Sequence, residues 1–139
     1  MYMDIAINYL AVVVAAAGAY AVGAIWYSPI GFGKQWMQMT HLDKDHMHKM
    51  PLTAQQAMIL GALFTLLLSY VFAHFIVIAG VASVPAALTL GFWVWLGFGV
   101  TTLAHGWLWE GKSLKLFMFN AAHLLVAFEV MALVFGLWG

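Results

Sequence analysis

The chain has 139 residues, of which 65% are hydrophobic and only 7% are charged, and its formal net charge is zero at pH 7. Because the surface of a soluble domain must carry charge, this composition excludes a soluble globular fold and predicts a membrane protein. A neutral chain without a basic patch excludes nucleic acid as a partner, and the lack of cysteine excludes disulfides, thiolate metal sites and cysteine nucleophiles.

Four stretches are apolar and long enough to cross a hydrocarbon layer about 30 Å thick, which takes roughly 20 helical residues. They cover residues 5–27, 57–79, 86–108 and 114–137. Short breaks between the later spans predict antiparallel helices. We therefore expect an all-α, polytopic membrane protein with a single domain, residues 1–139. Its expected architecture is a four-transmembrane-helix up-and-down bundle with a short amphipathic cytoplasmic segment after the first helix.

The first span carries small residues at a spacing of four, namely Ala15, Ala19 and Gly23. Helices in lipid associate through close packing, which favours small residues at their contacts. We interpret this stripe as a packing face within the bundle, with a homodimer seam as the alternative. The N-terminus lacks a basic leader and the apolar stretch exceeds signal-peptide length, so the first span is expected to be retained.

At the end of the first span the sequence reads WYSPIGFGKQW. Pro29 biases Ser28 away from the helical region, and Gly31 and Gly33 are expected to loosen the chain, so the helix should end here. Since Trp and Tyr are enriched at membrane interfaces, we interpret the segment as an elbow that anchors the chain at headgroup depth. The alternative is a ligand or partner groove lined by the same aromatic residues. The elbow comprises Trp26, Tyr27, Ser28, Pro29, Phe32, Gly33 and Trp36.

The connection that follows the elbow is rich in methionine and histidine. Thioether and imidazole groups suit soft metals such as Cu(I), and His46 and His48 are weak candidates for such a site. Their spacing matches no closed metal-site pattern, and the charged residues between them are typical of a solvated loop. We predict no metal site here, and we place Met37 and Met39 in a short surface helix with Trp36.

Local signals for helix ends separate the remaining spans. Thr53 followed by Gln56 is a capping-box pattern that can start the second helix, and Gly80 is placed to end it. Ser83 suits the N-cap of the third helix, and Ser113 suits the N-cap of the fourth. The breaks are too short to hold a separate domain.

Polar groups at membrane depth are functional candidates, because each is costly without a partner. If tight turns make the last three helices antiparallel neighbours, His74 lies level with Gly91, and Glu129 lies in nearly the same layer. Asn8 is expected nearby, and Tyr70 shares a helix face with His74. The carboxyl group and the imidazole could share a proton, as in proton-coupled transport. The alternative is a structural pair that holds the helices in register.

A second polar layer is predicted nearer the cytoplasm. Thr102 and Asn120 lie at matching depths on the third and fourth helices, which favours a hydrogen-bond network between these helices as structural glue. The alternative is haem held by His105 and His123. Those two residues are offset by up to about 9 Å along the axis, so no cofactor is predicted. The layer comprises Thr101, Thr102, His105, Asn120 and His123.

The string WYSPIGFGKQW, and the later block WEGK ahead of a helix that carries Asn120 and His123, resemble the small four-span membrane proteins filed as domain of unknown function 1761. The resemblance covers essentially the whole chain. It implies architecture only, because no activity, substrate or catalytic residue is established for that family to carry over.

Lysine alone determines the predicted orientation, because the chain has no arginine. Lys34, Lys44 and Lys49 lie in the first connection, and Lys112 and Lys115 lie in the third. By the positive-inside rule these two connections face the cytoplasm, and both termini face outward from the cell (inner) membrane.

The chain contains no phosphate loop, no recognisable motif of nucleophile and base, and no paired carboxylate site, so no enzyme activity is predicted. The preferred hypothesis is a non-catalytic accessory or interaction subunit of a membrane complex. Its expected partners are the lipid bilayer and another protein or a second copy of the chain. The competing hypothesis is a proton-linked transporter of a small metabolite or ion that uses Glu129 and His74.

Overall fold

The structure is a computed structural model that describes residues 6–40 and 51–138. Within these residues the fold is all-helical, and four helices are long and apolar enough to cross a membrane. The predicted all-α fold with four helices of membrane-spanning length is therefore confirmed. The weak metal candidates His46 and His48 lie outside the described residues. In chain order the helices are α1 (Tyr9–Trp26), α2 (Gly33–Thr40), α3 (Ala54–Ile78), α4 (Val84–Trp109) and α5 (Leu114–Trp138).

The three later spans begin at the caps that the sequence predicts. Thr53 and Gln56 form a reciprocal capping box at the start of α3, with hydrogen bonds of 3.0 and 3.1 Å. The hydroxyl groups of Ser83 and Ser113 each accept a hydrogen bond from the backbone amide three residues later, at the starts of α4 and α5. Each cap satisfies an amide that the helix itself leaves unpaired.

Glycines in the left-handed conformation follow the ends of α3 and α4. Gly80 has φ +67° and Gly111 has φ +69°, a conformation that costs glycine little because it has no Cβ. At the first of these turns the amide of Val81 donates to the carbonyl of Ile76, and the amide of Gly80 donates to that of Val77. This Schellman arrangement ends α3 at the predicted position.

The helices do not pack in the order in which they follow one another. The helices α1 and α5 form the centre of the fold, α3 packs mainly on α1, and α4 packs on α5. Although a short turn joins α3 to α4, these two helices make little contact with each other. The expectation that they are packed neighbours, which set the depth of His74 against Gly91, is therefore wrong. A short turn joins two helix ends, but small residues elsewhere select which helices pack closely.

Small residues bring α5 close to both of its main neighbours. Ala15 and Ala19 of α1 are buried, and a Cβ on Gly23 would lie 3.2 Å from an imidazole nitrogen of α5. On the other side of the fold, a Cβ on Gly136 of α5 would lie 2.8 Å from the Cα atom of Val84 in α4. The stripe on α1 therefore packs inside the chain, so it does not offer a free seam for a homodimer.

The middle of α4 is a π-helical segment, Trp95–Val100. The indole Nε1 of Trp95 donates to the carbonyl of Ala121 in α5 at 2.7 Å. A Cβ on Gly99 would lie 2.7 Å from a methyl group of Leu124. The segment is thus held against α5 by one hydrogen bond and one close contact. Such π-turns inside α-helices often occur at functional sites.

Candidate functional site

The elbow after α1 is a tight, hydrogen-bonded turn. The amide of Phe32 donates to the carbonyl of Trp26, and the amide of Gly33 donates to that of Ser28, both at 2.8 Å. Gly31 and Gly33 lie directly against the backbone of the preceding turn, and a Cβ on Gly33 would lie 2.6 Å from the carbonyl carbon of Ser28. The expectation that these glycines loosen the chain is therefore wrong. They permit a close approach of two backbone segments.

Two other elbow residues, Ser28 and Pro29, complete the turn. The hydroxyl of Ser28 donates to the carbonyl of Ile25 at 2.8 Å, and Pro29 is exposed. The helix α1 ends just before this turn, in agreement with the prediction. Met37 and Met39 lie in α2, which confirms their assignment to a short helix.

The aromatic residues of the elbow pack against α5. The Trp26 ring lies 5.7 Å from that of Phe119 and 6.0 Å from that of His123, measured between centroids. The corresponding distances from Tyr27 are 5.7 and 5.1 Å. The Tyr27 hydroxyl donates a hydrogen bond of 2.7 Å to Oδ1 of Asn120. We call the whole group the elbow cluster, and its members are Trp26, Tyr27, Phe32, Trp36, Phe119, Asn120 and His123.

Several polar atoms of the elbow cluster are buried. Tyr27 lies just beyond the last residue of α1, and burial raises its pKa to about 12. Its phenol therefore stays protonated at physiological pH and remains a donor to Asn120. Nε1 of Trp26 and Nε2 of His123 are buried with no hydrogen-bond partner among the described residues. Leaving a buried donor or acceptor without a hydrogen bond costs free energy. A polar group that bonded to either atom would therefore stabilise this part of the molecule.

The predicted inner polar layer is divided between two places. Thr101 and Thr102 donate to backbone carbonyls four residues earlier in α4, and His105 is exposed. Asn120 bonds to the elbow, and His123 packs beside it. The predicted bond between Thr102 and Asn120 is therefore not formed, because a threonine hydroxyl reaches a carbonyl of its own helix without help from another.

The predicted outer layer is also divided. Nδ1 of His74 lies 2.9 Å from the carbonyl oxygen of Tyr70, and the two rings pack at 4.7 Å. Tyr70 in turn stacks on Tyr9 of α1 at 6.3 Å. Asn8 caps α1 and accepts a hydrogen bond from a backbone amide at 3.1 Å. In residues 6–40 and 51–138, none of these groups forms a hydrogen bond with Glu129, because α3 packs mainly on α1 and makes few contacts with α5.

Glu129 lies at the contact between α5 and α4. Its Oε1 is buried without a hydrogen-bond partner in the part of the chain that the structure describes. The same atom occupies the space that a Cβ on Gly91 would need, and Ala132 lies beside it. The side chain as a whole is only partly buried. The expected depth of Glu129 along α4 is therefore correct, although its expected partner is not beside it.

Two adjoining cavities lie between the elbow, α4 and α5. The larger has a volume of about 480 Å³ and the smaller about 140 Å³, and Leu103 and Asn120 line both. The smaller cavity reaches Glu110 and Lys112 at the turn between α4 and α5. The sequence does not reveal these cavities, since they depend on the packing of the elbow against α5. Together they offer enough space for part of a small molecule.

No donor set for a metal ion or haem is assembled in the described residues. No group of three or more His, Asp and Glu side chains comes together in them. His123 packs toward α1, where it lies against Gly23 and Tyr27, whereas His105 is exposed on α4. The two histidines considered for haem therefore do not face each other.

Comparison with known proteins identifies a family. The family model described as "Protein of unknown function (DUF1761)" matches residues 10–136. No curated protein and no solved structure shows a significant match. The matched range includes all the residues of the elbow cluster, as well as Glu129 and Gly91.

Proposed function

We propose that this chain, which belongs to the DUF1761 family of proteins of unknown function, is a non-catalytic accessory or interaction subunit of a membrane complex. The observation that supports the proposal is the position of Glu129. Of the two acidic residues that the structure describes, Glu110 lies just after the end of α4, whereas Glu129 lies well inside a candidate span. An ionisable group at membrane depth costs free energy, and it is usually paired with another polar or charged group.

The chain itself leaves part of that carboxyl group unsatisfied. Oε1 is buried against Gly91, and neither α4 nor α5 donates a hydrogen bond to it in the residues that are described. Oε1 itself is enclosed, but the side chain as a whole is partly exposed, so a group from outside the chain can approach the rest of the carboxyl group. The partner that fits is a transmembrane helix with a hydroxyl, amide or basic side chain at the same depth. Hydrogen bonds of this kind between helices in lipid are worth about 1 kcal/mol.

The surface beside Glu129 also suits a neighbouring helix. The helix α4 packs chiefly on α5, and its other faces are largely exposed. Next to Gly91, Phe92 is 41% exposed. Large aromatic side chains of this kind supply contact area at the centres of interfaces. A partner helix that packs on this side of α4 would therefore cover the aromatic surface and approach the carboxyl group of Glu129 at the same time.

Native mass spectrometry of the protein, extracted in mild detergent from its own membranes, tests this function. We expect a stoichiometric second polypeptide with the unaltered chain. Glu129→Leu should release it because the carboxyl group is lost, whereas Glu129→Gln should retain it because the amide oxygen still accepts a hydrogen bond. Val126→Leu, on an exposed part of the same helix, is the matched control. Retention of the second polypeptide by Glu129→Leu, or its absence from the unaltered chain, would overturn the proposal.

A proton-linked transporter is the second candidate, and the same buried carboxyl oxygen favours it. Here Glu129 would act without His74, whose ring nitrogen lies against the carbonyl of its own helix. In this case Glu129→Gln should abolish pH-dependent uptake into proteoliposomes while it leaves the assembly intact. Uptake by Glu129→Gln at the unaltered rate, with the same dependence on pH, would exclude this mechanism.

A further inference from the structure

The two adjoining cavities form one groove that runs from the turn between α4 and α5 toward the elbow. We call it the elbow groove. Its deeper part is bounded by the elbow on one side and α4 on the other, with α5 as its floor. Apolar and aromatic side chains dominate this part, which can therefore take hydrocarbon. The residues that line the deeper part are Tyr27, Trp36, Leu103, Asn120, His123 and Leu124.

The mouth of the groove carries one positive and one negative charge. Nζ of Lys112 lies 3.9 Å from Oε1 of Glu110, and the two side chains are 56% and 59% exposed. Exposed ion pairs of this length contribute little, so both charges can bind an added molecule. The Lys112 chain rests on Gly106, where a Cβ would lie 3.1 Å from its Cδ. This contact holds the amine beside the cavity.

The groove thus joins a charged mouth to an apolar interior. From Leu114, at the start of α5, to Leu124 in the deeper part, the helix rises by about 15 Å at roughly 1.5 Å per residue. The occupant must therefore be an amphiphile with its charged end near Lys112 and an apolar chain between the elbow and α4. The deeper cavity, about 480 Å³, lies within the size range of sites for small molecules. A basic residue beside a groove between transmembrane helices can bind the phosphate of a lipid headgroup.

We propose that the elbow groove binds a zwitterionic phospholipid whose headgroup carries a primary ammonium group. Lys112 binds the phosphate and Glu110 accepts a hydrogen bond from the ammonium group, while one acyl chain lies along Leu103 and Leu124. The paired charges distinguish this lipid from its relatives. An anionic headgroup would meet repulsion from Glu110, and a choline headgroup has no N–H to donate to it.

The test is native mass spectrometry of the purified, delipidated protein, with one phospholipid added at a time. Phosphatidylethanolamine, phosphatidylcholine and phosphatidylglycerol with the same acyl chains are compared at equal concentration. We expect phosphatidylethanolamine to be retained about tenfold more than either of the others, which corresponds to about 1.4 kcal/mol, the order of one charge-assisted hydrogen bond. Equal retention of the ethanolamine and choline lipids would overturn the proposal.

Three variants locate the site. Glu110→Ala should remove the preference for ethanolamine over choline, because alanine offers no acceptor to the ammonium group. It should also raise the retention of phosphatidylglycerol, because Lys112 is then left unopposed. Lys112→Gln should lower the retention of all three phospholipids, whereas Lys115→Gln, which does not line the groove, should leave retention unchanged. Both altered side chains at the mouth are exposed, so the fold should persist, and an unchanged unfolding temperature checks this. Wild-type selectivity in Glu110→Ala, or wild-type retention in Lys112→Gln, would place the lipid elsewhere and overturn the proposal.

Discussion

The hydroxyl of Tyr27 donates a hydrogen bond of 2.7 Å to Oδ1 of Asn120, and so joins the end of α1 to the second turn of α5. The two residues are far apart in the sequence, yet this bond sets where the elbow lies. It turns the aromatic face of the elbow toward α5 and leaves a groove between the elbow and α4. The shape of the elbow groove therefore depends on this hydrogen bond.

Tyr27→Phe should lower the stability of the protein by about 1 kcal/mol, because the bond is lost and the Asn120 oxygen is left unpaired. Thermal unfolding in detergent measures this change. The double variant Tyr27→Phe with Asn120→Leu removes both partners and should lose less than the sum of the two single changes. Strict additivity of the two effects would show that the bond contributes nothing.

Stability should also fall at alkaline pH. Burial raises the pKa of Tyr27 from its ordinary value of 10.0 to about 12 in the folded chain. Below about pH 10 the phenol is protonated in both states, so its contribution is fully present. As the pH rises from about 10 to 12, the unfolded chain loses this proton first, and folding becomes less favourable. Unfolding temperatures between pH 8 and 12 should show a smaller decline for Tyr27→Phe, and identical declines would contradict the assignment.

Gly91→Ala should destabilise the packing of α4 on α5, because the new methyl group would collide with Oε1 of Glu129. Overpacking of this kind typically costs about 1–3 kcal/mol. The second change Glu129→Ala should restore much of the loss, since it removes the colliding atom. Gly97→Ala in the same helix is the control, because no atom lies within 4 Å of its added Cβ. If Gly91→Ala unfolds at the wild-type temperature, Glu129 does not pack closely against Gly91.

Gly33→Ala should disrupt the elbow. Its Cβ would meet the Ser28 backbone at 2.6 Å, and a backbone cannot move aside as a side chain can. The Trp36 ring should then leave Tyr27, and the intrinsic tryptophan fluorescence should shift. Gln35→Ala, at an exposed position in the same helix, is the matched control. An unchanged emission spectrum in Gly33→Ala would show that the turn tolerates a side chain.

The predicted orientation can be measured directly, because the chain has no native cysteine. By the positive-inside rule, Leu52→Cys should face the cytoplasm and Ala82→Cys should face outward. A maleimide that cannot cross membranes should therefore label Ala82→Cys in intact cells and label Leu52→Cys only after the cells are opened. The reverse pattern would invert the topology.

The sequence predicts most of the local structure of this protein and much less of its packing. Helix starts at Thr53, Ser83 and Ser113 were predictable because a cap forms between residues three positions apart. The depth of Glu129 along α4 was predictable because a tight turn sets the register of two antiparallel helices. The helices that pack on α3 were not predictable, because the turn that joins α3 to α4 restricts only the end of α3.

The contact of the elbow with α5 was also beyond sequence reasoning, since it depends on pairs such as Tyr27 and Asn120 that are distant in the chain. One signal was nevertheless present. Phe119 and His123 are four residues apart, so they lie on one face of α5, as a surface that receives aromatic side chains requires. The close backbone contacts of Gly31 and Gly33 had no such signal, because a glycine needed for close approach looks the same in a sequence as one in a loose loop.

The unequal lengths of the helices have a consequence for the surrounding bilayer. The helix α1 has 18 residues and α5 has 25, which correspond to about 27 and 37 Å. Lipids beside α1 therefore meet a thinner hydrophobic belt than lipids beside α5. Such a mismatch is relieved when the bilayer thins locally or when the longer helices tilt. The bilayer should accordingly be thinner on the side of the first helix than beside the longer helices.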